Sequence, residues 1–396
     1  MKLEEAYQVL GVVYKADLKT VKKAYRSLMF KYHPDVSTEP NSLEISRKIN
    51  RAYEIVCGKA VGGPSGRAAF EEKVFEYGTG LDKIVVTQRE LLMAMYLPRL
   101  MKIAQRLGLA QWPELETFAA GQFNEIFDRA YYHHMTMPDW EEGDPMPATA
   151  DGTVSFRDMM VEMVVRLMLN NPSGPIMASD LESIHELDLA DSVTRSVADL
   201  AYFRNLRNLD VSFTMVCDFE PLQHLTQLEV LAAVKCEAAG QPLRLPGLKE
   251  LYIGYCGLAD FGHLRHLTGL ELLDISSNRL SEISSLGEFP LLTDLILYNN
   301  NVSHIEGIEK YAALQRLDLS LNPIRSIHAL KHLPNLETLN LNWTRVDDFT
   351  PLLEMQALRI LDVSYFSDAV LERHEAVWSA LRERGVRVVT QPEQGD

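Results

Sequence analysis

The chain has few cysteines, and none of them is arranged for a metal-binding or redox role. Its four cysteines are Cys57, Cys217, Cys236 and Cys256, and no two of them form a Cys-x-x-Cys pair. A zinc or dithiol site is therefore not expected. Sparse cysteine in a chain of 396 residues is typical of a reducing compartment, so we expect a cytoplasmic protein.

Long apolar runs are absent as well. The first residues, MKLEEAYQVLG, are charged from the start, which does not resemble a secretory signal. The most apolar segment, residues 158–171, is interrupted by Glu162 and Arg166, and a bilayer span needs ~20 apolar residues. We expect no membrane partner, and the length predicts two or three domains.

Motifs for catalysis and cofactor binding are also missing. We find no phosphate-binding loop, no nucleophile motif and no paired catalytic carboxylates. One stretch combines histidines with carboxylates, but its spacing matches no standard metal site; its residues are His133, His134, Asp139, Glu141 and Glu142. We therefore expect no catalytic residues, no metal, no cofactor and no enzyme activity, with an enzyme in the middle region as the alternative.

Charge is distributed unevenly along the chain. The net charge is −16, yet residues 1–60 contain 11 Lys and Arg against 7 Asp and Glu, which gives +4 there and −20 in the remainder. An acidic body argues against nucleic acid as the main partner. A small basic module is instead suited to an acidic patch on another protein.

Residues 1–60 read as three helices. The first is predicted over Glu4 to Leu10 and stops at Gly11; the second begins after Asp17 and is ended by Pro34, because proline lacks an amide hydrogen. The third starts near Asn41. Apolar residues recur at helical spacing on the last two helices and predict an antiparallel pair; they are Leu18, Val21, Tyr25, Leu28 and Tyr32, then Ile45, Ile49, Ala52, Tyr53 and Val56. His33, Pro34 and Asp35 would lie in the exposed turn between these helices.

This segment resembles the J domain of DnaJ-type co-chaperones over residues 1–72. The resemblance is carried by AYQVLGV at 6–12, VKKAYRSLMFKYHPD at 21–35, INRAYEIV at 49–56 and GRAAFEE at 66–72. It implies docking on an ATP-bound DnaK-family chaperone and stimulation of its ATPase. His33, Pro34 and Asp35 would be the trigger, and Lys22, Lys23 and Arg26 the electrostatic anchors.

Alternatives and departures accompany the resemblance. The tripeptide could simply end a helix, and the basic residues could form a solvated face. Ser46 replaces the aromatic residue usual in the third helix, and a Gly-rich segment over 58–66 replaces a tight turn.

The last two hundred residues are periodic. Nine equivalent leucines recur every 22 residues, except for one step of 20 between Leu231 and Leu251; they are Leu187, Leu209, Leu231, Leu251, Leu273, Leu295, Leu317, Leu339 and Leu361. Five residues after each comes Ser192, Thr214, Cys236, Cys256, Asn278, Asn300, Asn322, Thr344 or Phe366. This resembles the leucine-rich repeat, whose stacked units bury their leucines against one another. The polar residues, including Cys236 and Cys256, should satisfy backbone groups inside the solenoid, and residues 367–390 should cap it with a helix and a strand.

Side chains between the leucines should point outward and line the concave face. One column is mostly acidic and includes Asp210, Asp274 and Asp362, which could serve solubility alone. A second column carries large residues, and exposed aromatic residues are frequent binding anchors. We predict that the repeats bind a protein or peptide target through Phe213, Tyr252, Tyr255, Tyr298, Trp343 and Tyr365. The alternative is that some of these rings only pack on their neighbours along the repeats.

The predicted fold is a multidomain α plus α/β protein. It comprises an all-α J domain over 1–72, a mostly helical middle domain over 73–180, and a leucine-rich repeat horseshoe with a parallel sheet and cap over 181–396. The middle domain holds eleven of the fifteen methionines, for which core packing is the favoured interpretation over a flexible binding groove. The predicted function is a co-chaperone that brings a DnaK-family chaperone to the target of the repeats. A scaffold whose J-like module only docks is the alternative.

Overall fold

The computed structural model describes residues 3–14, 24, 28, 45, 48, 49, 52, 74–77, 84–108, 125–131 and 152–391. The chain forms two compact units, Met1–Asp180 and Leu181–Asp396. No helix among the described residues is long and apolar enough to cross a membrane.

The N-terminal unit begins with a small helical core. Helix α1 spans Leu3–Val9, and the chain leaves it at Gly11, whose φ of +67° lies in the left-handed region that favours glycine. Residues 24, 28, 45, 48, 49 and 52 are helical. Four buried residues form the core, with further apolar side chains packed against it; the four are Ala6, Leu10, Ile49 and Ala52. Because Leu28 and Ile45 pack against this core, the predicted apolar faces of the second and third helices do contribute to it.

The middle region contains a β-hairpin that the sequence analysis did not predict. Strands β1, Val74–Tyr77, and β2, Ile84–Thr87, pair antiparallel. The signal was present, since VFEY and IVVT are rich in β-branched and aromatic residues and glycines lie between them. The prediction of a mostly helical region therefore missed one pair of strands.

The remaining middle elements are helical, as predicted. Helix α2 spans Gln88–Arg106, residues 125–131 are helical, and helix α3 spans Met159–Met168. Asp158 caps α3, because its Oδ1 accepts from the amide of Met160 at 2.9 Å. Met160 and Met163 are buried, so core packing is confirmed for these methionines. The histidine and carboxylate stretch over 133–142 lies outside the described residues.

The C-terminal unit is a solenoid built on one sheet of ten parallel strands in sequential order. The strands are β3 Glu186–Asp188, β4 Asn208–Asp210, β5 Val230–Ala232, β6 Glu250–Tyr252, β7 Leu272–Asp274, β8 Asp294–Ile296, β9 Arg316–Asp318, β10 Thr338–Asn340, β11 Ile360–Asp362 and β12 Arg387–Val389. The nine predicted leucines are the central residues of β3 to β11, are paired in register with their neighbours, and are buried.

Short 3-10 helices form much of the return segments between the strands. They span Asp180–Ser183, Ala198–Tyr202, Glu220–His224, Glu237–Gly240, Gly262–Leu264, Ile283–Ser285, Ile308–Lys310, His328–His332 and Thr350–Glu354. Each carries at least one buried apolar residue that packs behind the sheet, such as Leu222 and Leu330. A single repeat could not bury these residues, so stacking of neighbours provides the core.

The last repeat is closed by a cap, as predicted, although the cap holds two helices rather than one. Helix α4 spans Asp368–Arg373, helix α5 spans Glu375–Glu383, and β12 pairs parallel with β11. Trp378 is fully buried, its Nε1 donates to the carbonyl of Leu371 at 3.0 Å, and its ring centroid lies 4.8 Å from that of Phe349. The cap thus covers the leucines that the last repeat would otherwise expose.

Candidate functional site

An internal asparagine ladder fixes the turns that follow the strands. The Nδ2 of Asn322 donates to the carbonyls of Leu297, Leu319 and Ser320, while its Oδ1 accepts from the amide of Val302. Asn300 makes the equivalent bonds one repeat earlier, and Asn278 makes them two repeats earlier. This confirms that the inward polar residues satisfy backbone groups, which need partners when buried.

Threonine and cysteine occupy the same ladder position elsewhere. Thr344 donates to Leu341 at 2.7 Å, and the Sγ of Cys236 donates to Val216 at 3.2 Å. Burial raises the pKa of the Cys236 thiol to about 11 and also raises the pKa of Cys256. Because a thiol with a raised pKa is a poor nucleophile at neutral pH, these two cysteines have the structural role that the repeat pattern predicted.

The acidic column has a structural role that the sequence analysis did not identify. Asp210, Asp274 and Asp362 each use Oδ1 to accept the amide of the residue two positions later, at 2.8 to 3.0 Å. Asn340 makes the same bond at 3.0 Å. These side chains therefore form Asx turns at the ends of the strands, and the signal for them was the recurrence of Asp at this position with Asn in its place at Asn340.

The column of large residues lies in these turns and not on the strands themselves. Phe213, Tyr255 and Trp343 have φ values of +57°, +59° and +59°, in the left-handed region. Asn299 and Ser277 share this conformation at +54°. The placement differs from simple alternation, because the chain turns directly after the third strand residue. The aromatic side chains consequently form one edge of the concave sheet, which we call the aromatic edge: Phe213, Tyr255, Trp343 and Tyr365.

Bulky residues in a left-handed conformation are uncommon, since their side chains gain nothing from it and the backbone costs about 1–2 kcal/mol. The conformation itself recurs in every repeat from Asp191 to Trp343, so it belongs to the fold. The choice of Phe, Tyr and Trp at this position therefore has no conformational explanation.

The aromatic edge is open to solvent. Phe213 is 53%, Tyr255 58%, Trp343 57% and Tyr365 49% exposed. The rings of Trp343 and Tyr365 stack with centroids 5.2 Å apart, and the Nζ of Lys235 lies 5.9 Å from the Phe213 ring centroid. Stacking between repeats thus occurs, as the alternative interpretation held, yet about half of the surface of each of the four residues stays exposed.

The two other predicted target-binding residues differ from each other. Tyr298 is 38% exposed and lies one residue before the turn position of its repeat. Tyr252 is half-buried on β6, and its hydroxyl donates to Glu250 at 2.8 Å. Two exposed apolar residues in or beside the turns, Leu321 and Met215, were not singled out from the sequence. Leu321 occupies the same turn position as the aromatic residues, which was the available signal.

The chaperone-binding residues predicted for the N-terminal segment, His33, Pro34, Asp35, Lys22, Lys23 and Arg26, lie outside the described residues. Among the residues that the structure describes, no group of three or more His, Cys, Asp or Glu side chains could hold a metal ion.

The structure and the repeat pattern together define the C-terminal unit as a leucine-rich repeat solenoid. Sequential parallel strands, inward leucines at a 22-residue step and an asparagine ladder are the defining features of that class. The predicted fold class, α plus α/β with a parallel repeat sheet, is therefore confirmed.

Comparison with known proteins identifies the N-terminal end. Residues 5–60 match the sequence model of the family described as DnaJ domain. The chain is 56% identical over 50 residues to a chaperone protein DnaJ of Trichodesmium erythraeum, covering 13% of each chain. It is 45% identical over 56 residues to a curved DNA-binding protein of Coxiella burnetii, covering 14% of this chain and 18% of that protein. The chain thus carries an N-terminal J domain, and it spans less than a fifth of the length of these curated relatives.

Among solved structures, the chain is similar to two internalins of Listeria monocytogenes. Internalin C2 is 25% identical, with a TM-score of 0.47 over 50% of this chain and 89% of that chain. A second internalin is also 25% identical, with a TM-score of 0.46 over 52% of this chain and 63% of that chain.

Proposed function

We propose that this chain is a cytoplasmic J-domain co-chaperone whose leucine-rich repeats select the target. The J domain stimulates ATP hydrolysis by a DnaK-family chaperone, and the repeats hold a protein target at the same time. The observation that carries the proposal is the presence, in one chain, of a DnaJ-domain match and a repeat solenoid with an exposed aromatic edge. Linking the two raises the local concentration of the chaperone at the target.

The chaperone contact would use His33, Pro34 and Asp35 as the trigger. Lys22, Lys23 and Arg26 would orient the encounter electrostatically, so association should weaken as salt is added. The packing of α1 against Leu28, Ile45 and Ile49 supports a folded helical module around this segment.

The ATPase test uses a DnaK-family chaperone in single turnover. The wild-type chain should accelerate hydrolysis, and Asp35→Asn should return the rate to that of the chaperone alone. Glu39→Gln, which removes one carboxylate four residues along the same segment, is the matched control and should stimulate as the wild type does.

Equal stimulation by the wild-type and Asp35→Asn chains would show that the trigger assignment is wrong. Absence of stimulation by the wild type would favour the scaffold alternative, in which the J domain only docks. Circular dichroism of each variant separates loss of contact from loss of fold.

The chain itself would catalyse no reaction in this proposal. In the described middle region, Met159, Met160 and Met163 are buried in a helical core, and the buried ion pair of Glu162 with Arg166, at 2.8 Å, is made within α3. Arg166 also donates to the carbonyl of Gly174 at 2.9 Å, so the pair holds the end of the helix.

A further inference from the structure

The outward strand positions of the repeats carry charge almost entirely of one sign. Eight carboxylates and a single cation, Arg316, lie at the first and third residues of strands β3 to β11. We call this surface the acidic face; its carboxylates are Glu186, Asp188, Asp210, Glu250, Asp274, Asp294, Asp318 and Asp362. Most are half-buried or exposed, whereas Asp294 is buried.

Three cations on and beside the acidic face already form ion pairs with carboxylates. Arg316 pairs with Asp294 on the neighbouring strand. At the positions that precede the strands, Arg207 and Lys249 both pair with Glu229, at 3.5 and 2.8 Å. The hydrogen bond between Lys249 and Glu229 raises the pKa of the Lys249 ammonium and lowers the pKa of the Glu229 carboxyl. These pairs neutralise the nearby basic groups and leave the excess of negative charge on the face.

Three carboxylates of the face stand out. Asp210, Asp274 and Asp362 make no ion pair among the described residues, and each gives one oxygen to a backbone amide.

The aromatic edge runs alongside this charge. Phe213 follows β4 and Tyr365 follows β11, so seven strand spacings of ~4.8 Å separate them, roughly 34 Å. An extended polypeptide advances about 3.3 Å per residue, so about ten residues would span that length. The aromatic edge already makes a cation–π contact within the chain, because the Lys235 ammonium lies over the Phe213 ring.

We propose that the acidic face and the aromatic edge bind an extended, basic segment of a partner protein. This deepens the proposed function and rests on it, since the segment would belong to the target of the repeats. Arg and Lys side chains of the bound segment pair with the carboxylates of the acidic face. Guanidinium or ammonium groups of the segment, and the apolar residues beside them, pack on the exposed rings of the aromatic edge. Charge complementarity selects this occupant over acidic or uncharged segments.

The test selects from a displayed library of random peptides, each about 12 residues long to cover the estimated span. The immobilised protein is the full chain. We expect the recovered peptides to be enriched in Arg and Lys relative to the unselected library, and a fluorescent copy of the most enriched peptide to bind less tightly as salt is raised.

The acidic-face variant combines Asp210→Asn, Asp274→Asn and Asp362→Asn. Asparagine keeps the Oδ1 acceptor of the Asx turn, as Asn340 does in the same column, so the variant removes charge without removing the hydrogen bond. Loss of the three ion pairs that these carboxylates would form with the peptide should raise the Kd of the enriched peptide about tenfold.

The matched control combines Asp218→Asn, Asp260→Asn and Asp348→Asn. These exposed residues lie on the return segments and accept amide hydrogen bonds of the same kind, at 2.7 to 2.9 Å. The control removes the same total charge, so binding should stay within twofold of the wild type if the position of the charge matters.

Three results would overturn the proposal: no enrichment, enrichment of acidic or uncharged peptides, or an equal loss of affinity in both triple variants. Stimulation of the DnaK-type ATPase by the same wild-type preparation distinguishes failure of the ligand assignment from failure of the co-chaperone function. If stimulation is present while basic peptides are not selected, the ligand assignment fails and the co-chaperone function stands.

Discussion

Replacing Asn322 by alanine should destabilise the repeat unit more than any exposed substitution. The side chain makes four hydrogen bonds, of 2.8 to 3.1 Å, to Leu297, Leu319, Ser320 and Val302, and the residue is 2% exposed. At about 1 kcal/mol net for each bond, the loss is roughly 4 kcal/mol. The Val302 amide would also be left in a site too enclosed for easy hydration.

A second variant shows how much of this loss of unfolding free energy comes from each group of hydrogen bonds. Threonine occupies the ladder position at Thr344 and bonds only the carbonyl within its own repeat. Asn322→Thr should therefore keep the bond to Leu319 and lose three bonds, the two to Leu297 and Val302 that join neighbouring repeats and the one to Ser320, at about 3 kcal/mol. For a unit of this size, about 3 °C in Tm corresponds to 1 kcal/mol, so the expected shifts are roughly 12 °C for alanine and 9 °C for threonine.

The assay is thermal unfolding of the full chain, followed by far-UV circular dichroism. The exposed neighbour Asn301 supplies the control, because Asn301→Ala should change Tm by less than about 2 °C. If Asn322→Ala unfolds within 2 °C of the wild type, the ladder does not hold the repeats together and the reasoning is refuted.

Two further predictions concern the aromatic edge and the buried thiol. Trp343→Asn combined with Tyr365→Ala should weaken binding of the target of the repeats by about thirtyfold or more, as loss of an aromatic anchor does. Asparagine is chosen at position 343 because Asn299 already adopts the left-handed turn conformation in an equivalent position. An unchanged Tm together with an unchanged Kd in titration would contradict the binding role. Raising the pH should destabilise the repeats, because the Cys236 thiol has a pKa of about 11 when folded against an ordinary 9.0, so the unfolded chain loses its proton first. The stability that the protonated Cys236 thiol contributes is complete below pH 9 and falls between pH 9 and 11. Cys236→Thr, which matches Thr214 at the same ladder position, should lose about 2 kcal/mol less unfolding free energy than the wild type by pH 10.5, as measured by urea unfolding. Identical pH profiles of the two chains would refute this cause.

The repeat architecture was accessible from the sequence because its information is local and recurs. Leu273, for example, lies two residues before the apolar Ile275 and five before the polar Asn278, and a stacked strand buries all three positions. The inward orientation of Cys236 and Asn300 could be predicted from the same spacing relative to the central leucines.

The features that were missed depend on backbone geometry. The β1–β2 hairpin had a strand-like composition but lay among helical segments, and its pairing is set by contacts between the strands. Alternation placed Phe213 and Trp343 on the strand face, whereas a left-handed φ turns them to its edge. The Asx role of Asp274 needed the position of an amide two residues away, which composition does not contain.

The amino-acid sequence by itself determined the J-domain segment, the number of repeats and the side chains that face inward, because these depend on residue type and spacing along one chain. Only the tertiary structure decided which outward groups become neighbours. Trp343 and Tyr365 are 22 residues apart in sequence, and their rings lie 5.2 Å apart because parallel stacking brings equivalent positions of successive repeats into contact. The same stacking gathers carboxylates from separate repeats into one acidic face.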